Sequence, residues 1–254
     1  SLDVNGESLT VQNSNIIDDQ LINTTTSPQT VTYTVVATTT AYGCSSPSTQ
    51  IDVLVNPSPV TDSFSEEICS GETLALVLSA SSPSAFTWFA TDNINVFGET
   101  QSVQNSSVIT DQLINNTNNA ETVTYNIQAT SNKGCAGSIV TGDVVVNLIP
   151  EVDFSITNAV LCDLSPVGFV NNSSSLLDFD WDFGDGNFSN IQQPSHSYAS
   201  NGLFNVSLKI TNSYGCMESL TKLNYINIDN KPTANFTNSN PLSCSAPLDL
   251  VFQN

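Results

Sequence analysis

The stretch Trp181-Asp182-Phe183-Gly184-Asp185-Gly186 carries the strongest structural signal in this sequence. Its aromatic residues Trp181 and Phe183 alternate with Asp180 and Asp182. Side chains of a β-strand point alternately to its two faces, so the rings would enter a core while the carboxylates face water. The stretch therefore predicts a strand that covers a core with one face.

The second half of the stretch predicts a tight turn. Gly184 and Gly186 can adopt the positive φ of a hairpin, and Asp185 between them can cap loop amides. We expect Tyr198 to act like a tyrosine corner, with its ring buried and its hydroxyl bonded to the backbone. We interpret all four residues as structural.

Apolar and polar residues alternate with a period of two in several other segments, and no segment has a convincing helical period. One apolar face and one wet face are what antiparallel strands over a single core require. Short strands broken by Asn, Gly, Pro and Ser favour β-sandwiches over barrels. The clearest alternating sets are Val31, Tyr33 and Val35, then Val123, Tyr125 and Ile127, and finally Phe204, Val206, Leu208 and Ile210.

Part of the sequence is an internal repeat. Val11-Gln12-Asn13-Ser14 recurs 92 residues later as Val103-Gln104-Asn105-Ser106. The same offset relates 19–23 to 111–115 and 30–33 to 122–125. Such self-similarity is typical of repeat architectures.

The repeats and the proline-bearing junctions between them predict four segments. Residues 1–57 would be the end of one repeat, 58–149 a complete second repeat, 150–230 a third, and 231–254 the start of a fourth. We expect a parent protein that is longer in both directions.

Composition excludes several classes of partner. The 254 residues include 24 Asp plus Glu but only four Lys and no Arg, for a net charge of −20. Such a chain repels nucleic acid and anionic lipid and lacks bidentate phosphate clamps. No apolar run approaches the ~18 residues of a membrane span. We therefore expect neither nucleic-acid binding nor membrane insertion.

The third repeat resembles the PKD domain. That Ig-like sandwich has the signature W-D-F-G-D-G followed by P-x-H-x-Y and a glycine, which here are the hexapeptide at 181–186 and then Pro194, His196, Tyr198 and Gly202. The second repeat, which keeps only Trp88-Phe89 of the hexapeptide, resembles diverged PKD-like repeats of Bacteroidota surface proteins. The resemblance implies an all-β fold of tandem Ig-like (PKD) sandwiches arranged end to end.

Tandem arrays of this kind characterise very large secreted adhesins, including SprB-like gliding adhesins exported by the type IX system. The resemblance thus implies a stalk or spacer segment at the bacterial outer surface, with neighbouring repeats and the secretion and gliding machinery as partners. A binding module for polysaccharide or protein is the main alternative. Exposed rings of Phe89, Phe97 or Tyr42 would then stack on sugars or contact surface proteins.

An enzyme is not expected. His196 is the only histidine, and a hydrolase triad would need it beside an activated serine with an oriented carboxylate. No nucleophile motif accompanies it, and its place matches the PKD turn. We interpret His196 as a structural residue.

The six cysteines predict disulfides rather than zinc sites, because only one histidine is present. By the repeat, Cys69 should pair with Cys135, and Cys162 with Cys216. Cys44 and Cys244 would then lack partners because their repeats are truncated. A Cys44–Cys244 bond and free thiols remain alternatives.

An acidic cluster in the third repeat could bind calcium. Carboxylate oxygens are ligands that Ca²⁺ prefers, but no EF-hand loop is present. The alternative is strand alternation plus a turn cap, and no other cofactor is expected. The cluster comprises Asp178, Asp180, Asp182 and Asp185, of which the last three are the calcium candidates.

Overall fold

The computed structural model describes residues 3–157, 165–173 and 178–229, and the backbone alone of 237–238 and 252–253. These residues form strands, turns and bends, and the all-β prediction is confirmed. No helix in this part of the chain is long and apolar enough to span a bilayer. The chain divides into two compact units, Ser1–Leu148 and Ile149–Asn254, each with its own core.

The first unit opens with the segment that the sequence predicts to be the end of a repeat. Its strands are β1 (Val4–Asn5), β2 (Ile22–Asn23), β3 (Gln29–Val35) and β4 (Thr49–Val55). β3 and β4 form an antiparallel hairpin, and β1 pairs with β2.

A five-stranded sheet dominates the rest of the first unit. Its order is β5-β13-β12-β7-β9, with β5 parallel to β13 and the other neighbours antiparallel; β6 pairs with β10 and β8 with β11. The strands are β5 (Ser65–Cys69), β6 (Leu76–Val77), β7 (Ser84–Ala90), β8 (Val96–Phe97), β9 (Gln104–Asn105), β10 (Val108–Ile109), β11 (Ile114–Asn115), β12 (Glu121–Ser131) and β13 (Val140–Asn147).

The core of this second repeat lies on one face of the sheet. Val123, Tyr125 and Ile127 alternate along β12 and are 0% exposed. Side chains from outside the five-stranded sheet, such as Leu74 and Ile109, belong to the same buried cluster. The core is therefore enclosed by two layers, as a sandwich requires.

The third repeat, in the second unit, contains two sheets around an aromatic core. The strands are β14 (Phe154–Ile156), β15 (Val167–Asn171), β16 (Asp178–Asp182), β17 (Phe188–Ser189), β18 (Ser195–His196), β19 (Gly202–Thr211) and β20 (Met217–Ile228). The sheet orders are β14-β15-β18 and β17-β16-β19-β20. Side chains from both sheets meet in one buried cluster.

The predicted domain boundaries at 57/58, 149/150 and 230/231 stay predictions. The border between the two compact units follows Leu148. Of the predicted last segment, 231–254, only the backbone of a strand pair is described, β21 (Thr237–Asn238) with β22 (Phe252–Gln253).

Candidate functional site

The hexapeptide ends β16 and begins the turn after it. Trp181 and Phe183 are 1% and 2% exposed, whereas Asp180 is exposed and Asp182 half-buried. The indole Nε1–H of Trp181 donates to the carbonyl oxygen of Ile191 at 3.0 Å. The one polar atom of this buried ring is thus satisfied, which removes the penalty of burying it.

The turn is held by its own aspartates. Gly184 and Gly186 have φ of 79° and 87°. Asp182 Oδ1 accepts the N–H of Gly184 at 2.9 Å, and Asp185 Oδ1 accepts the N–H of Asn187 at 3.1 Å. These carboxylates are therefore engaged as turn caps.

Gly184→Ala should destabilise the third repeat more than Gly186→Ala. Both positions have positive φ, so each alanine carries a conformational cost of about 1 kcal/mol. A Cβ at Gly184 would lie 2.2 Å from the carbonyl oxygen of Asn205, whereas one at Gly186 meets nothing within 4 Å. We expect the free energy of unfolding to fall by about 3 kcal/mol in Gly184→Ala and by about 1 kcal/mol in Gly186→Ala. Urea unfolding, followed through amide exchange of β16 and β19, measures both losses. Equal losses would contradict the steric argument.

His196 is packed between aromatic rings and bonded to the turn. Its Nε2 lies 2.8 Å from Asp185 Oδ2, and the two side chains are 13% and 12% exposed. The imidazole stacks on Phe183 with centroids 4.2 Å apart and meets the edge of Tyr198 at 4.7 Å. Tyr198 donates its hydroxyl to the carbonyl oxygen of Phe183 at 3.1 Å. The histidine, the tyrosine and the turn form one locked cluster.

The electrostatics of this cluster favour an ionised Asp185. Desolvation raises its pKa, but hydrogen bonds from His196 and Asn187 outweigh burial, so the pKa of Asp185 is lowered. Burial, with the nearby charges of Asp185 and Asp182, raises the pKa of Tyr198. Tyr198 therefore stays a neutral donor.

Acid should weaken the third repeat through Asp185. Its pKa in the folded chain is below the ordinary value of 3.8, so the ionised carboxylate stabilises the fold above that pH and the contribution is lost as pH falls through the folded pKa. We expect the urea midpoint of this repeat to fall between about pH 4 and about pH 2, and to fall less in Asp185→Asn. The control is Asp180→Asn, at a carboxylate that is 66% exposed, and its urea midpoint should fall with pH as it does in the native chain. If the urea midpoint of Asp185→Asn also falls as in the native chain, Asp185 is not the group that causes the acid dependence.

The calcium candidates are each engaged in other contacts. Asp180 Oδ2 lies 3.1 Å from Lys209 Nζ, and Asp182 and Asp185 cap the turn. In the part of the chain that the structure describes, no group of three or more His, Cys, Asp or Glu side chains is arranged to hold a metal ion. Calcium binding stays a prediction.

A second polar network, which sequence reasoning did not single out, lies inside the second repeat. Asp111 is 7% exposed, and its Oδ2 accepts the hydroxyl of Tyr125 and the N–H of Thr100, each at 2.8 Å. Its Oδ1 accepts the Thr100 hydroxyl at 2.7 Å. Burial first, and then the bond to Asp111, raise the pKa of Tyr125. The network ties β12 to the loop segments that precede it.

The same network occurs in the first repeat, where it lies near the surface. Asp19 Oδ2 accepts the hydroxyl of Tyr33 and the N–H of Ser8, each at 2.7 Å, and Oδ1 accepts the Ser8 hydroxyl at 2.6 Å. These bonds lower the pKa of Asp19 and raise that of Tyr33 to about 12. Each residue lies 92 positions before its counterpart, so the repeat itself was the signal that could have identified the network.

An asparagine clamp also repeats. Asn115 Nδ2 donates to the carbonyl oxygens of Val146 and Asn119, at 2.9 and 2.7 Å. Asn23, its counterpart, bonds in the same way to Val55 and Ser27, at 2.8 and 2.7 Å. What the two repeats share is therefore internal scaffolding.

One predicted disulfide is not formed. Cys135 is a free thiol, while Cys69 is disulfide-bonded, so Cys69–Cys135 must be corrected. The physical reason is the strand register. β5 runs parallel to β13 and places Cys69 opposite Asn147, whereas Cys135 precedes the other end of β13.

Two of the other four cysteines are described, one as a disulfide and one as a free thiol. Cys216 is disulfide-bonded and Cys44 is a free, exposed thiol, so the alternative Cys44–Cys244 bond is not formed either. Cys162 and Cys244 lie outside the described residues. The Cys162–Cys216 pairing stays a prediction.

The aromatic residues considered for ligand binding differ in exposure. Tyr42 is 89% exposed and Phe97 56%, but Phe89 is half-buried. Phe188, which the sequence analysis did not consider, is 72% exposed and lines a shallow depression. The other residues that line the depression are Asp180, Trp181, Ser189 and Asn190.

Models of two related families match this chain. The model described as "PKD-like domain" matches residues 1–59 and 66–151, more than half of the chain. The model described as "PKD domain" matches residues 147–228, the part with the hexapeptide. The two matches together cover most of residues 1–228.

Solved Ig-like structures also resemble the chain. The PKD1 domain of Vibrio anguillarum Epp is 29% identical over 33% of this chain and 99% of its own, with a TM-score of 0.29. The eight N-terminal Ig domains of DSCAM are 12% identical over 87% of this chain and 34% of theirs, with a TM-score of 0.41. Murine CEACAM1b is 11% identical over 66% of this chain and 99% of its own, with a TM-score of 0.31. The family assignment therefore depends on the family models.

Proposed function

The chain belongs to the family of PKD and PKD-like domains, and from this premise we propose that it is a stalk segment of a large secreted adhesin. PKD domains are common in extracellular multidomain proteins, and disulfides are typical of oxidising compartments. In this proposal the repeats hold an adhesive tip away from the bacterial outer surface and transmit force to it.

The pairing of the first and last long strands of the second repeat supports this role most directly. β5 and β13 are parallel neighbours, with Ser65 opposite Asp143 and Cys69 opposite Asn147. Force along the chain that reaches this ladder would enter β5 at Ser65 and leave β13 at Asn147. These residues are at opposite ends of the ladder, so pulling shears all its hydrogen bonds together instead of opening them one by one.

Single-molecule pulling on the full chain tests this role. At the two ends of the ladder, Asp143 N–H donates to Phe64 O and Ser70 N–H donates to Asn147 O. Backbone groups of successive residues in a strand point to opposite sides, so even-numbered residues of β5 face β13. The N–H of Glu66 therefore points toward β13, and the N–H of Glu67 points away from it. Glu66→Pro removes a ladder bond, whereas Glu67→Pro removes none.

Both glutamates are exposed. Glu67→Pro also removes the side-chain bond that Asn147 Nδ2 donates to Glu67 Oε2, so it is a stringent control for the single backbone bond lost in Glu66→Pro. We expect the second repeat to unfold at high force in the native chain and in Glu67→Pro, and at clearly lower force in Glu66→Pro. A native chain that extends at the low force of Glu66→Pro would count against a stalk that transmits force.

The exposed aromatic residues are not repeated, which also supports a spacer. Tyr42 corresponds to Lys133 in the second repeat, and Phe97 corresponds to Asn5 in the first. A ligand site carried by every repeat would need its contact residues at matching positions. The repeated features are instead the Asp–Tyr networks and the asparagine clamps.

A polysaccharide-binding module is the second candidate, and Phe188 is the observation that favours it. An exposed flat ring beside the polar side chains of Asp180 and Asn190 is a surface on which a sugar can stack. Isothermal titration with soluble polysaccharides separates the candidates. Binding that is lost in Phe188→Ala but kept in Tyr42→Ala would favour the module over the spacer.

The finer parts of the proposal rest on the motif resemblance alone. They are SprB-like identity, export by the type IX system, contact with the gliding machinery and calcium at the acidic cluster. Cell fractionation and immunogold labelling of a Bacteroidota host that carries the gene would test the location. Retention in the periplasm of a strain without type IX secretion is the expected result.

A further inference from the structure

A lysine lies on the core-facing side of β20 in the third repeat. Lys222 pairs directly with Val206, which is 0% exposed, and directly opposed residues of an antiparallel pair share a face. A lysine at such a position needs polar partners for its ammonium group, because an unpaired buried charge is costly. Its side chain extends to the opposite sheet and contacts the start of β14.

The ammonium group of Lys222 contacts a carboxylate, a carbonyl and two aromatic rings. Its Nζ lies 2.9 Å from Asp153 Oδ1 and donates to the carbonyl oxygen of Phe154. It also lies 4.7 Å from the ring centroid of Phe154 and 5.2 Å from that of Tyr225, distances at which a ring attracts a cation. The bond from Lys222, followed by the backbone N–H of Phe154, holds the pKa of Asp153 below its ordinary value of 3.8.

A bulge in β20 makes the aromatic part of this contact possible. Residues 223–225 lie opposite the single residue Asn205 of β19, whereas β12 and β13 of the second repeat pair without a register shift. Asn224 has a φ of 50°, and its N–H donates to Asn205 Oδ1 at 2.7 Å. In a regular strand, Lys222 and Tyr225 would point to opposite faces. The bulge lets both reach the same ring on β14.

β14 is weakly held by backbone pairing. It spans three residues, and its antiparallel pairing with β15 covers three register positions. By contrast, β16 pairs with β19 over five positions, and β19 pairs with β20 over nine. Strands with few backbone bonds open most easily, so a side chain that reaches β14 from the opposite sheet has a large effect on its opening.

We propose that Lys222, with its partners Asp153, Phe154 and Tyr225, is a latch for β14. The latch fixes the strand by which the chain enters the third repeat to the last strand of the opposite sheet. Without the latch, β14 opens readily while the rest of the repeat stays folded. This inference goes beyond the stalk function and does not depend on it.

Hydrogen exchange of the full chain at several low urea concentrations, followed by mass spectrometry, tests the latch. Lys222→Met keeps the apolar stem but removes the charge, and we expect the amides of residues 154–157 to exchange about 30-fold faster. Their exchange should depend little on urea, because opening of β14 exposes little surface, whereas exchange of β19 should depend strongly on urea. Asp153→Asn should accelerate exchange by only about 5-fold, since the carbonyl and the rings still contact the ammonium group.

Lys209→Met is the matched control. It removes the charge of a lysine on the neighbouring strand β19, whose partner Asp180 belongs to the same sheet, so β14 should exchange as in the native chain. Equal acceleration in Lys209→Met, or native exchange of β14 in Lys222→Met, would overturn the proposal. The same urea dependence in β14 and β19 would also overturn it, because β14 would then open only with the whole repeat.

Discussion

Replacing Trp181 with alanine should cost the third repeat about 3–5 kcal/mol and leave it largely unfolded under native conditions. The ring is 1% exposed and packs against Phe154 and Phe169, with centroids 5.2 and 5.5 Å away. Its removal would leave a large cavity and would strand the carbonyl oxygen of Ile191. Those two effects add, because one is lost packing and the other a lost hydrogen bond.

Urea unfolding followed by amide exchange of β16 and β19 measures the loss, while peptides of β12 report the second repeat separately. Phe188→Ala is the control, since this aromatic residue is on the neighbouring strand β17 but is 72% exposed. The control should stay within about 0.5 kcal/mol of the native value. A Trp181→Ala chain with native protection in β19 would show that the hexapeptide does not anchor the core.

Asp111→Ala should destabilise the second repeat by about 3 kcal/mol or more. The substitution leaves the buried Tyr125 hydroxyl and both donors of Thr100 without their acceptor. A buried donor that loses its partner carries its full desolvation penalty. Amide exchange of β12 in urea would follow unfolding of the second repeat, because the emission of Trp88 overlaps with that of Trp181.

Asp19→Ala is the matched control for burial, because it removes the same three hydrogen bonds from the first repeat. There the donors are exposed or half-buried, and water can replace the carboxylate. Amide exchange of β3 should therefore change little. Similar losses of stability in the two repeats would mean that burial does not determine how strongly the network stabilises a repeat.

The sequence was informative wherever the cause is local. Alternation of apolar and polar residues fixes which face of a strand is buried, and Val206, Leu208 and Ile210 are all 0% exposed. The glycines of the hexapeptide predicted a turn because positive φ is a property of single residues. The 92-residue repeat predicted similar strands in its two copies, and β3–β4 and β12–β13 are both antiparallel pairs.

Sequence reasoning did not find the polar networks or the thiol state of Cys135. Asp111 and Tyr125 are 14 residues apart, and only the packing of a loop segment over β12 brings their side chains to 2.8 Å. The pairing of Cys69 with Cys135 assumed that the start and end of a repeat meet. The parallel register of β5 and β13 instead puts Cys69 beside Asn147.

The sequence by itself determined the all-β class, the repeat and the apolar face of each alternating strand. Only the tertiary structure decided which of two equivalent faces is closed: Ile17 and Ile109 occupy the same repeat position, yet one is 53% and the other 0% exposed. The physical reason is that alternation is encoded within a strand, whereas burial requires a second layer from elsewhere in the chain.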